Sequence, residues 1–212
     1  MLDDDSMPES SRAIVVGAWT LLAVLLVAEL VHRLWFGYLP RDLSAYLAAA
    51  DTFAAGGNPY TSDLFDSSRY DGYVFVYSPG TLYLLYGLNV VSERVVAALD
   101  LLARSAVLIG SLYWLRERFS LSVTLPVLVF VALLYEPILV DFRAANLPTY
   151  LLGAFLLCVY LDESEWNWWH LPIGALAGLA LACKPLWIVP ALLVLLLRRS
   201  WPALTAVGTG IV

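Results

Sequence analysis

Asp42, Asp51, Asp63 and Asp66 fall within RDLSAYLAAADTFAAGGNPYTSDLFD, residues 41 to 66, a few residues after a long apolar segment. A carboxylate carried on a rigid helix at a membrane surface, with a loop of tyrosines facing it, suits the work of a general base on a sugar hydroxyl. Asp42, the first of the four, is the residue placed for it. The same position suits a helix N-cap, which involves no chemistry. The residues alone leave both readings open.

The second candidate is Lys184, the only lysine in a chain whose other bases are all arginine. It interrupts the apolar stretch LAGLALACKPLWIVPALL. Arginine would have served for a charge that merely reaches the interface, so a lone lysine there points to a compact charge for a phosphate or carboxylate. Arg143 and Asn146, in DFRAAN, lie near a span end where burial is partial and a binding role is open. Asp100 and Arg104 sit four residues apart within an apolar run and can neutralise one another as a structural pair. Glu29 and Arg33 have the same spacing at the end of the first apolar segment, where interfacial snorkelling accounts for them.

These residues need a scaffold, and composition says which kind. Hydrophobic residues make up 61% of the 212 and charged residues only 14%, where a soluble domain carries about a quarter. The predicted class is an all-α, polytopic transmembrane protein forming one domain over 1–212. An acidic tail covers 1–12 and a first span 13–35. An outer loop over 41–78 carries an interfacial helix, and further spans fill 79–212, the last apparently truncated, so that the natural chain is expected to continue.

Within the loop, Leu43, Tyr46, Leu47, Ala50 and Phe53 recur at helical spacing, and Gly56-Gly57 ends the helix. The Asn58-Pro59-Tyr60 turn and the aromatics up to Tyr77 form an ordered segment, after which Pro79 starts a helix. Later apolar runs cover roughly 79–91, 95–115, 121–139, 147–161, 171–183 and 186–197. The run 79–91 is too short to span and is read as re-entrant. The basic loops RERF (116–119) and RRSW (198–201) are expected on the cytoplasmic face, with 41–78, DFRAAN and Lys184 on the other.

With 18 acidic and 12 basic residues, a nucleic-acid surface is not expected. Cys158 and Cys183 lie in apolar runs and read as packing residues, with no disulfide frame or metal site.

Four blocks in order, RDLSAYLAAADTFAAGGNPYTS, YVFVYSPG, DFRAANLPTYLLG and IGALAGLALACKPLWIVPALLVLLLRRSW, resemble those of glycosyltransferase family 87, integral membrane mannosyltransferases of the GT-C superfamily. The resemblance runs from about Asp42 to Trp201. It implies a hexosyltransferase of the cell membrane that uses a polyprenyl-phosphate sugar, typically the mannose form, and a lipid, glycan or protein acceptor. It also implies an outer-face site, no required metal or other cofactor, and an aspartate after the first span as base, which here is Asp42. Asn58 and Tyr60 match the loop block, Tyr77 the next, and Lys184 the intramembrane lysine. One departure is that Ala144-Ala145 stands ahead of Asn146 where the family usually has a Gly-Gln pair. The competing class is a non-enzymatic transporter or lipid-binding scaffold, since a charge at a helix break, as at Lys184-Pro185, also serves transport.

Overall fold

The computed structural model describes residues 9–60, 79–88, 90–165, 167–184 and 188–211. The described residues form helices and no strand, the all-α membrane class that composition predicts.

Helix α1, Glu9–Trp35, has 27 residues and a length of about 40 Å at helical rise, enough for a hydrocarbon core of about 30 Å. Val16, Leu21, Val24, Leu25 and Val27 face outward along it, as a lipid-facing helix requires. Gly37 then takes a left-handed φ of 69°, and a Cβ there would meet the Arg94 guanidinium at 3.1 Å. This corner turns the chain into α2, Arg41–Ala54.

The apolar stripe of α2 is buried at Leu43, Tyr46, Leu47 and Ala50. It packs against Leu82, Val96, Ala97 and Ala145, with Phe53 half-buried at its margin. Leu82 belongs to α3, Pro79–Tyr86, whose eight residues rise only about 12 Å. Such a helix cannot cross a bilayer, as expected for the run 79–91. The next, α4, Glu93–Arg118, is long and apolar enough to cross.

The run 121–139, read as one apolar segment, is broken. Helix α5, Leu125–Leu134, and helix α6, Glu136–Ala144, meet at an 80° bend. Pro137 explains it: proline has no N–H to donate to the carbonyl four residues back, and its ring collides with that carbonyl. Helix α6 ends at Ala145, which has a left-handed φ of 57°, a conformation that costs an alanine about 1–2 kcal/mol.

Four shorter helices follow: α7, Pro148–Glu163, α8, His170–Cys183, α9, Ile188–Leu197, and α10, Trp201–Ile211. They cover the apolar runs read after residue 146 but are shorter than full spans. By length and composition the described residues hold two crossing helices, α1 and α4, or three if the bent α5–α6 pair counts as one.

Leu151, Ala154, Cys158, Leu181, Leu195 and Val207 lie in the shared core of α7 to α10, and both cysteines are free and buried. Helices α8 and α10 approach to backbone contact. A Cβ on Gly178 would run into the Val207 carbonyl, and one on Gly210 into the Ala175 carbonyl. Gly174 and Gly178 together form the small-residue spacing that lets helices pack closely within a membrane. Gly178→Val is therefore expected to cost about 1–3 kcal/mol or more through overpacking, read by thermal unfolding in detergent. Gly110→Ala, with open space around the site, serves as the control. Equal melting temperatures for the two variants would contradict this packing.

The ends of the helices sort by charge. Arg118, closing α4, makes two 3.0 Å contacts with Glu163, closing α7. Arg198, just beyond α9, pairs with Asp162 and Glu163. The two basic loops and the 162–170 connection thus share one end of the helix assembly.

Candidate active site

The other end is built around two fully buried arginines. Arg33, at the end of α1, donates to Glu29 at 3.0 Å, Asp100 at 3.3 Å, the Ala97 carbonyl at 2.8 Å and the Phe142 carbonyl at 3.1 Å. Snorkelling, the sequence reading for Arg33, is therefore corrected. The backbone carbonyls of α4 and α6 and the Asp100 carboxylate supply enough acceptors to draw the guanidinium inward.

Arg104 of α4 donates to Asp100 at 2.8 Å, to Asp141 at 2.9 Å and to the Asn146 carbonyl. Its guanidinium carbon lies 4.7 Å from the centre of the Tyr150 ring, and the Tyr150 hydroxyl donates to Asp100 at 2.9 Å. Asp141 is 2% exposed and also accepts from the Thr149 amide at 3.1 Å and from the Thr149 hydroxyl. Two arginines and two aspartates thus cancel in charge while tying α1, α4, α6 and α7 together. The Asp100–Arg104 pair predicted from spacing exists, but as the middle of this larger set.

Asp42 faces the set from α2. The N-cap of α2 is Pro40 and no side chain caps the helix, so the capping reading of Asp42 is corrected: Asp42 lies in the first turn. Proline fits the position because its extended φ/ψ leads directly into the helix. Burial lifts the Asp42 carboxyl above its ordinary range. Arg41 opposes that rise, Asp141 adds to it, and Lys184 and Arg104 oppose it. Residues from α4, α6 and the end of α8 therefore lie close enough for their charges to act on this one carboxylate. Lys184 is the C-cap of α8, where the proline that follows in sequence disfavours further helix. Thr81 of α3 is buried beside it and in hydrogen-bond contact with Cys183.

Several of the other predicted site residues have partners of their own. Helix α2 separates Asn58 and Tyr60 from Asp42 by about 18 Å of helical rise. The Asn58 side chain accepts the Tyr60 amide at 3.0 Å, a local Asx turn. The Arg143 side chain is exposed, while its carbonyl accepts from the Tyr38 hydroxyl at 3.3 Å. Asn146 contributes its carbonyl to Arg104, and its side chain accepts the Leu147 amide at 2.7 Å. Tyr77 lies outside the described residues.

Asp141 was missed by sequence reasoning, which took Arg143 and Asn146 from the same segment. Nothing local in the sequence marked it, because its burial depends on Arg104 and Thr149 from other segments.

The long apolar helices define an integral membrane protein, and at one end of them the charges of Arg41, Asp141, Lys184 and Arg104 act on the half-buried Asp42 carboxyl. The model of glycosyltransferase family 87 matches residues 75–212, more than half of the chain, and the chain belongs to that family of membrane glycosyltransferases. The match contains Arg104, Asp141, Arg143, Asn146 and Lys184, and begins after Asp42. No curated protein and no solved structure matches the chain.

Proposed function

We propose that the protein transfers a hexose, mannose by family resemblance, from a polyprenyl-phosphate donor to a lipid, glycan or protein acceptor at the outer face of the cell membrane. The observation that carries this reading is the placement of Asp42 beside Lys184, Arg104 and Asp141. A base and cations stand together where a sugar phosphate has both a proton to lose and a charge to stabilise.

The reaction is a single displacement. Asp42 takes the proton from the acceptor hydroxyl as its oxygen bonds to the anomeric carbon. The bond from that carbon to the phosphate oxygen breaks with its electron pair, leaving polyprenyl phosphate. Lys184 stabilises the charge that grows on the phosphate, a contribution largest where water is excluded. The short helix α3, beside the end of α8, leaves the lipid tail a place at the bilayer boundary. Asn58, Tyr60, Tyr77, Arg143 and Asn146 would contact substrate as the longer acceptor or donor extends from Asp42, and Asn58, Tyr60 and Arg143 are exposed. Family membership favours this transfer over the transporter or scaffold alternative.

In the multi-pass topology proposed with this function, α1 starts in the cytoplasm. The Asp42 end then faces outward, and the Arg118–Glu163–Arg198 end faces inward as the arginine bias requires. Single-cysteine labelling at Gly57 and Ser200 in sealed vesicles tests this. The expected result is labelling from opposite sides, with transfer from polyprenyl-phosphate mannose appearing on the Gly57 side. Labelling of both from one side, or product on the Ser200 side, overturns the orientation.

A further inference from the structure

Asp141 is used unevenly. Its Oδ2 accepts from Arg104 Nη1 at 2.9 Å, from the Thr149 amide at 3.1 Å and from the Thr149 hydroxyl. Its Oδ1 is buried with no hydrogen-bond partner among the described residues, and so is Nε of Arg104. Buried polar atoms are rarely left so, and each such case calls for a missing partner.

The two orphan atoms sit on side chains already bonded to each other, one an acceptor and one a donor. A metal ion would be repelled by the guanidinium, and a phosphate by the carboxylate. A hydroxyl suits Oδ1, which can only accept, because it brings a donor without the charge of a metal ion or a phosphate. The acceptor is also fixed in place by Arg104 and Thr149, so a bound hydroxyl would be oriented without further loss of freedom. Its charge acts on the Asp42 carboxyl.

We propose that Asp141 Oδ1 binds a hydroxyl of a sugar taking part in the transfer. The proposal rests on the glycosyl-transfer reading and adds a substrate contact to it. Asp141 positions the sugar, and Asp42 moves the proton. Oδ1 is covered in this structure, so the hydroxyl enters as neighbouring side chains part.

Asp141→Asn is the informative change. The amide oxygen can keep Arg104 and Thr149, while the orphan position becomes a donor that rejects the hydroxyl proton. In the reconstituted full-length protein, the KM for one substrate is expected to rise by roughly tens of fold. A rise in the KM of polyprenyl-phosphate mannose assigns the hydroxyl to the donor sugar, and a rise in the acceptor KM assigns it to the acceptor.

A second measurement does not need the variant to fold. Wild-type binding of monodeoxy mannosyl phospholipids, each compared with the sugar-free phospholipid, is expected to weaken for one missing hydroxyl far more than for the others if the donor is the source. Unchanged KM values for both substrates in a folded Asp141→Asn protein overturn the proposal and leave the pair to a buried water. So does equal binding of every deoxy donor together with an unchanged acceptor KM. Sugar-dependent binding by a wild type that transfers nothing counts against the transfer reading alone, with the deoxy series then deciding Asp141. Absence of any sugar-dependent binding overturns both.

Discussion

Asp42→Asn is expected to lower sugar transfer by roughly a hundredfold or more, the usual loss when a general base is removed, with membrane abundance unchanged. The structure sharpens this experiment because Pro40, not Asp42, is the N-cap of α2. The asparagine therefore has no cap to preserve, and the change removes a charge from a half-buried position among Arg41, Asp141, Lys184 and Arg104. Loss of the favourable first-turn charge costs at most about 1 kcal/mol, too little to unfold the helix.

The pH dependence follows from the same surroundings. Asp42 accepts a proton only when ionised, and its pKa is raised, chiefly by burial. Activity should therefore fall on acidification at a pH above the ordinary aspartate range, and the limb should move to lower pH when Asp141 is made neutral. Turnover by Asp42→Asn within a few-fold of wild type would remove Asp42 from the mechanism.

Arg104→Met is expected to give the largest loss of stability, about 3–5 kcal/mol, the range seen when one partner of a buried ion pair is removed. Arg104 has no exposed surface, and its loss leaves the Asp100 and Asp141 carboxylates short of their shared cation. Methionine fills most of the volume, so packing is not the main effect. Arg118→Met provides the comparison, since Arg118 is half-exposed and holds Glu163 at the far end of α4. A surface pair of that kind contributes little, because solvent screens it. Thermal unfolding of both variants in the same detergent gives the answer, and similar losses would mean that the buried set does not hold this end of the protein together.

Much of the architecture was legible because it follows from local rules. The uninterrupted apolar run of α1, the period of Leu43, Tyr46 and Leu47, and the paired glycines after Ala54 each determine an element without reference to the rest of the chain. The bend at Pro137 was legible in kind, since proline cannot continue the ladder, but the run 121–139 looked continuous by hydropathy alone.

What could not be read was which charged side chains turn inward. Arg33 lies at a span end, where snorkelling is the ordinary fate, and only the arrival of Asp100 and two carbonyls from distant segments draws it in. Asp141, Arg143 and Asn146 share one hexapeptide, yet the helix direction of α6 buries the first and exposes the second. For Asp42, the ambiguity between cap and base depended on two residues of register at the start of α2, whose N-cap is Pro40. Asn58 and Tyr60 matched the expected motif, but they follow the far end of α2 from Asp42 and pair with one another.

The most direct measurement of the central claim is donor choice by the reconstituted full-length protein. It would be given polyprenyl-phosphate mannose in one arm and water-soluble nucleotide-linked mannose in the other, with membrane-extract acceptors in both. The proposed outward site, with Lys184 and Asp42 serving it, predicts transfer of labelled mannose from the lipid-linked donor and none from the nucleotide. Transfer from the nucleotide sugar, or failure with every polyprenyl-phosphate hexose while the protein remains folded, would contradict the account.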